Sequence, residues 1–157
     1  MGLDEELAKS YAKIIADACA NVDTGWTVYW NPFAQGWHFN TNIMGGDSRD
    51  TKYANSYKKA EKAAKNGKTE DVLKELGKGL HALQDQVVHI PPNGDIPIPI
   101  GAIIGAPQLA YHVHYPSNSP KYPDIINDAN LQNAFLATIG VLMDFQWLSS
   151  KHGLRLQ

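Results

Sequence analysis

The chain has 157 residues, of which 43% are hydrophobic and 19% are charged, and its formal net charge is -2 at pH 7. These values are typical of one ordered globular domain, so we predict a single domain over residues 1–157. The slightly acidic balance argues against a protein that holds nucleic acid mainly by positive charge, although it does not exclude a nuclease. The single cysteine, Cys19, excludes an internal disulfide and a cysteine-rich zinc cluster.

No targeting or membrane-spanning segment is evident in the sequence. No apolar run reaches the ~18 residues that a membrane span needs. The acidic residues 1–6 lead directly into an amphipathic pattern and do not resemble a signal peptide. We therefore expect either a cytosolic protein or a piece cut from a longer chain, such as one module of a larger secreted protein.

The spacing of apolar residues predicts four main helices and no strands. The first covers about residues 3–21, the second residues 48–65 with Ser48 as its N-cap, and the third residues 69–90. The closing helix ends at Gly153, and its core-facing stripe is predicted to comprise Leu131, Phe135, Ile139, Leu142, Phe145 and Leu148. The predicted fold class is therefore all-α, a compact helical domain with about four main helices and two long loops.

Two loops are longer than a compact domain normally tolerates without a function. The first spans residues 23–47 and is rich in aromatic side chains, which either line a pocket or pack on the helices: Trp26, Tyr29, Trp30, Phe33, Trp37 and Phe39. The second spans residues 91–123 and contains the apolar run 96–104. We expect this run either to cover the core or to meet a lipid surface.

The third helix carries two different faces. Its core-facing stripe consists of Val72, Leu73, Leu76, Leu80, Leu83 and Val87. Beside that stripe His81, Asp85 and His89 recur at every fourth residue, so they lie on one side of the helix. All three are residue types that bind metal ions. The alternative interpretation is that these are ordinary surface or core residues; the regular row, together with three histidines in the loops, favours metal binding over it.

Helix geometry limits how this row can bind metal. The helix rises ~1.5 Å per residue, which separates His81 and His89 by about 12 Å, whereas zinc–nitrogen bonds are only ~2.0–2.1 Å long. The two histidines are therefore predicted to serve different ions, with Asp85 either a ligand of one or a bridge. Further ligands must come from the loops, which offer His38, His112 and His114. Imidazole and carboxylate ligands favour zinc.

Three segments resemble the zinc-dependent phospholipase C and single-strand nuclease superfamily. They are Trp37-His38-Phe39-Asn40, the lysine-rich helix ending in Lys65-Asn66-Gly67, and the segment 76–85. The gap of three residues between Asp85 and His89 is closest to the heterokaryon-incompatibility C-type branch. Domains of this kind also resemble C-terminal toxin modules of larger secreted proteins, which would imply an immunity protein as a partner.

The resemblance implies roles for individual residues. One zinc ion would be held by His38, His81 and Asp85, with Asp85 placed to bridge to a second ion. That second ion would be held by His89, by His112 or His114, and by a carboxylate for which Asp124 is the candidate. Asp23 stands where family phospholipases carry an acidic residue that acts as the general base.

The chain also departs from the family pattern. It lacks the tryptophan that begins the family enzymes and binds zinc through its amino group, and it has no histidine before His38. One or two zinc ions are therefore expected, and a third only if another ligand substitutes. The available substitutes are Asp17, Asp23 and the second histidine of the His112/His114 pair.

Three functions follow as hypotheses. The leading one is a zinc-dependent phosphodiester hydrolase, phospholipase C-like, that acts on phospholipid head groups at a membrane surface and serves as a toxin effector. The second is a zinc-dependent nuclease of the same superfamily, which the acidic balance disfavours. The third is a non-catalytic, metal-stabilised interaction or membrane-active domain, which the missing N-terminal ligands favour. In the first two, metal would activate a water molecule and Asp23 would orient or deprotonate it.

Overall fold

The structure is a computed structural model that describes residues 4–27, 31, 33–42, 44–88 and 128–154. Its long helices are α1 (Glu5–Ala20), α2 (Ser48–Lys65), α3 (Thr69–Val88) and α4 (Asp128–His152). Short 3-10 turns cover Asn21–Asp23, Gly25–Thr27 and Gln35–Trp37. The described residues contain no strand, so the predicted all-α class with four main helices is confirmed. None of these helices has the length and hydropathy of a membrane-spanning segment.

Aspartate side chains cap the first two helices. Asp4 accepts hydrogen bonds from the backbone N–H groups of Glu6 and Leu7 at the start of α1. Asp47 caps α2 by accepting from the N–H group of Arg49 at 2.8 Å. The prediction that Ser48 is the N-cap was wrong, because its hydroxyl donates to the carbonyl oxygen of Phe39 and accepts from a loop N–H group.

Helix α3 is the centre of the fold and contacts the other three long helices. The predicted stripe is confirmed at Val72, Leu73, Leu76 and Leu80, which are buried, and Leu83 is partly buried against the same core. Two glycines of α3 permit close helix packing. A Cβ atom on Gly77 would lie 2.5 Å from the carbonyl oxygen of Ile15 in α1, and one on Gly79 would lie 2.8 Å from the ring of Tyr53 in α2.

Helix α4 buries a different face from the one its sequence predicts. Phe145 and Leu148 are buried as expected, together with Val141. Phe135, however, is 64% exposed and Leu142 is 46% exposed. The error has a physical cause. Apolar residues surround most of this helix, so periodicity cannot select the buried face, and packing on α3 and α2 decides it.

The two long loops differ in how much of their structure is described. In the first loop, the aromatic side chains are divided: Phe39 is buried, whereas Trp26 and Phe33 are 78% and 77% exposed. Trp37 is half-buried, and the ammonium group of Lys52 lies 5.3 Å from the centre of its ring. The second loop, including the apolar run 96–104, lies outside the described residues.

Candidate metal centre

Four side chains from three segments meet beside α3. Asp23 ends the 3-10 turn that follows α1, and His38 follows the 3-10 turn at residues 35–37. His81 and Asp85 lie one turn apart on α3, where the four-residue spacing places them on the same side. The helix therefore contributes two of the groups, and the loop between α1 and α2 contributes the other two.

The side-chain atoms of this cluster are close to one another. His38 Nδ1 lies 3.0 Å from Asp85 Oδ2 and 3.1 Å from His81 Nε2. His81 Nε2 lies 3.1 Å from the same carboxylate oxygen of Asp85. Asp23 Oδ1 lies 3.7 Å from His38 Nδ1 and 3.5 Å from His81 Nε2. We call Asp23, His38, His81 and Asp85 the metal cluster.

The outward nitrogen of His38 identifies the form of its ring. His38 Nε2 lies 2.7 Å from the carbonyl oxygen of Thr27. A carbonyl oxygen only accepts hydrogen bonds, so Nε2 carries a hydrogen and donates it. In the neutral ring, the lone pair is then on Nδ1, the atom that faces His81 and the carboxylates. A hydrogen bond from the outer nitrogen to a backbone carbonyl is a common way to orient a metal-binding histidine.

The outward nitrogen of His81, Nδ1, also has a hydrogen-bond partner, although the contact is longer and weaker. Its Nδ1 lies 4.0 Å from the sulfur of Cys19. The Cys19 thiol donates to Gln84 Oε1 at 3.4 Å, which leaves the sulfur lone pairs available to an N–H group on the histidine. A neutral His81 ring in this form has its lone pair on Nε2, which also faces the cluster. When both rings are neutral, each histidine thus turns the nitrogen that has no hydrogen toward the two carboxylates.

The cluster favours positive charge. Burial lowers the pKa of His81, but hydrogen bonds to Asp85 and Cys19 and the negative charges of Asp85 and Asp23 outweigh it and raise the pKa to about 10. The side chain of His38 is fully buried, and that of Asp85 is 6% exposed, so water screens these charges poorly. Four electron-rich atoms face one another here, and the arrangement is stable when a cation, either a proton or a metal ion, lies between them.

The residues present fit a metal ion. Asp23, His38 and His81 each offer one ligand atom, and these atoms lie within 4.8 Å of one another. Asp85 adds a carboxylate oxygen close to both histidines. Imidazole nitrogens and carboxylate oxygens are the donors that divalent transition metals take in proteins. The described residues therefore include a group that can hold one metal ion.

The structure brings together some of the residues named from sequence and leaves others untested. His38, His81 and Asp85 are adjacent, as the resemblance implied for one ion. Asp23, which the resemblance implied as a base, lies within the same cluster. Asp17, a possible substitute ligand, instead pairs with Lys13 at 2.6 Å and is exposed. The ligands implied for a second ion lie outside the described residues: His89, His112, His114 and Asp124.

Sequence reasoning missed the buried groups around the cluster. Arg49, at 2% exposure, donates to the backbone carbonyls of Asp85 and His38 at 3.1 and 3.4 Å. Cys19 was considered only for a disulfide and a cysteine-rich zinc cluster, yet its sulfur lies 4.0 Å from His81 Nδ1. A buried arginine cannot be distinguished from an exposed one by its place in a lysine-rich helix, so the sequence held no signal for Arg49.

Comparisons of the chain with protein-family models, with curated proteins and with solved structures find no match. The metal cluster must therefore be interpreted from its own geometry and chemistry. The resemblance to the phospholipase C and nuclease superfamily stays a prediction from sequence.

Proposed function

We propose that this chain is a zinc-dependent phosphodiester hydrolase, phospholipase C-like, in which His38, His81 and Asp85 hold one ion and Asp23 is a fourth ligand that water can displace. The convergence of four electron-rich atoms carries the proposal. Zinc bonds of ~2.0–2.1 Å at tetrahedral angles separate neighbouring ligand atoms by about 3.3–3.4 Å. The measured separations in the cluster, 3.0, 3.1, 3.1, 3.5 and 3.7 Å, lie on both sides of that value.

The chemistry of the group supports hydrolysis of a phosphodiester. Bound zinc lowers the pKa of a coordinated water to about 7 and offsets negative charge on a phosphoryl group. The side chains of the cluster have separate roles in the rest of the reaction. His38 and Asp85 are buried and hold the site. Asp23 is 34% exposed and more distant from the histidines, so its carboxylate is the one that incoming water or substrate meets. It is placed to accept a proton from that water.

The surface beside the cluster supports a phospholipid substrate. Trp26 and Phe33 lie exposed in the loop that carries Asp23 and His38, and exposed aromatic side chains partition into the interface of a lipid layer. A cavity of about 310 Å³ lies between α1, α3 and this loop, and its walls include Val22 and Trp37 but none of the four cluster residues, so it neighbours the cluster without containing it. Its size falls at the lower end for ligand sites.

The number of protein side chains around the ion points to a second candidate function. Structural zinc sites are usually closed by four protein ligands, whereas catalytic sites keep one position open for water or substrate. If Asp23 remains bound throughout, the cluster is closed and the chain is a metal-stabilised interaction domain without catalysis. The position of Asp23 therefore decides between the two candidates.

Metal content is the first test of the proposal. Protein purified without a metal-chelating resin should contain about one or two equivalents of zinc by elemental analysis. His81→Ala should contain less than wild type, because it removes one of the two buried imidazoles. Glu61→Gln is the matched control, since it removes ion pairs with Lys65, Lys151 and His152 that lie outside the cluster and should keep the wild-type content. Wild-type protein that binds no zinc contradicts the proposal.

Activity is the second test. Vesicles of phosphatidylcholine and phosphatidylethanolamine should release phosphorylated head groups with wild type and Glu61→Gln, but not with His81→Ala. Single-stranded DNA and RNA, assayed in parallel, test the nuclease alternative. Asp23→Asn should retain bound zinc and lose turnover if Asp23 acts on water. Zinc-loaded protein that turns over neither substrate supports the interaction domain instead.

A further inference from the structure

Arg49 joins the two chain segments that form the metal cluster. It lies in the first turn of α2, yet its side chain is 2% exposed. One end of its guanidinium group donates to the backbone carbonyl of Asp85 at 3.1 Å and to that of His38 at 3.4 Å. These two residues are separated by 47 positions in sequence and are both in the cluster. Arg49 therefore holds the backbone of a loop ligand beside the backbone of a helix ligand.

The contact on α3 lies on the turn of the helix that carries Asp85. The backbone carbonyl of Asp85 accepts from Arg49, and its carboxylate lies 3.0 Å from His38 Nδ1 in the cluster. Arg49 thus fixes the position of the turn from which the Asp85 carboxylate reaches the cluster.

The other side of the guanidinium group binds Asp47. Arg49 Nε lies 3.0 and 3.3 Å from the two carboxylate oxygens, and Nη2 lies 2.6 Å from one of them. This two-point pairing uses the planar fork that arginine has and lysine lacks. The Asp47 carboxylate also neutralises the positive charge of the guanidinium group. Without that carboxylate, the charge would repel a nearby metal ion, because water screens charges poorly in the interior. Asp47 in turn caps α2, so the pair is fixed to a helix end.

We propose that Arg49, paired with Asp47, is a positioning residue of the metal centre: it sets the distance between the His38 and Asp85 ligands through their backbone carbonyls and does not touch the metal. The proposal rests on the proposed metal centre and predicts a property beyond it. Loss of the Arg49 guanidinium contacts should weaken metal binding. The loss should be larger than that caused by a substitution elsewhere on α2 that destabilises the fold by the same amount.

The test compares zinc affinity in three variants of the full chain. Arg49→Lys keeps the charge but replaces the three nitrogens that contact Asp47 and the two carbonyls with one, so it loses the two-point pairing. Asp47→Asn removes the neutralising charge while keeping the shape. Tyr53→Phe is the matched control, because it removes a hydrogen bond from α2 to Asp144 of α4, away from the cluster. Zinc dissociation constants come from competition with a chromophoric chelator, and the absorption spectrum of bound cobalt reports ligand geometry.

Arg49→Lys should bind zinc about 10–100-fold more weakly, as is usual when a partner that orients a ligand is lost. Its cobalt spectrum should also change. Asp47→Asn should weaken binding in the same direction, and Tyr53→Phe should stay within about twofold of wild type.

Wild-type affinity and spectrum in Arg49→Lys would overturn the proposal. An equal loss of affinity in Tyr53→Phe would also overturn it, because general destabilisation would then be the cause. If the helix content of Arg49→Lys shows that this variant does not fold, the zinc affinity of Asp47→Asn alone tests the proposal. A wild-type chain that binds no zinc contradicts the metal centre itself, which separates that failure from the failure of the role of Arg49.

Discussion

The Nδ1 atom of His38 and the Nε2 atom of His81 lie 3.1 Å apart, although 43 residues separate the two histidines in sequence. The outer nitrogen of each ring has its own partner, Thr27 in one case and Cys19 in the other. The inner nitrogens therefore either share a proton or bind one metal ion. The first prediction distinguishes these states.

Removal of metal should destabilise the protein. Zinc that binds only the folded state adds about 2.7 kcal/mol of stability at a free concentration 100 times its dissociation constant. For a chain of this size that corresponds to a change in Tm of about 5–10 °C. Thermal unfolding with excess chelator, then after zinc is restored, measures the effect. His81→Ala serves as the control and should not respond to the chelator; an equal response would place the metal elsewhere.

The two carboxylates of the cluster should contribute unequally to metal affinity. Asp85 lies about equally close to both histidines and is buried, so no water can replace it. Asp23 is 34% exposed, and water can take its place. Asp85→Asn should weaken zinc binding at least 100-fold, which is about 2.7 kcal/mol, and Asp23→Asn less than tenfold. Chelator competition measures both, and the reverse order would show that Asp23 is the principal carboxylate ligand.

Two glycines in the interior of helices should respond to alanine in opposite directions. In Gly77→Ala the new Cβ atom would meet the backbone oxygen of Ile15 at 2.5 Å, so α1 and α3 must separate, at a cost of about 1–3 kcal/mol. Nothing lies within 4 Å of the corresponding position on Gly140, so Gly140→Ala should stabilise the protein by about 0.5–1 kcal/mol. Urea unfolding at one fixed zinc concentration measures the difference. Equal effects would contradict the packing of α1 on α3.

Two phenylalanines on α4 test which face of that helix is buried. Phe145 is 7% exposed and packs edge-on against Tyr11 at a ring distance of 5.6 Å. Phe145→Ala should cost about 3–5 kcal/mol in the free energy of unfolding. Phe135 is 64% exposed, so Phe135→Ala should change this free energy by less than about 1 kcal/mol. A large loss of stability in Phe135→Ala would instead show that the buried face of α4 is the one that the sequence pattern predicted.

The sequence was sufficient for the helices because their signals are local. The apolar stripe of α3 and the turn at Asn66-Gly67 that ends α2 depend only on residues within a few turns of each other. The pattern was not sufficient for the orientation of α4, where apolar residues lie on most sides. The cap of α2 was also misplaced, because a loop contact engages Ser48.

For the candidate site, the sequence by itself determined one pair. His81 and Asp85 are four residues apart on a helix, and that spacing alone makes them neighbours. The family resemblance had named His38 and Asp23 as further site residues, but only the tertiary structure decided how they reach the pair, because the path of the loop between α1 and α2 is not encoded in any local period. Packing brought Asp23 beside the histidines and buried Arg49 behind them. Such contacts follow from how whole helices pack, so no short stretch of sequence could have predicted them.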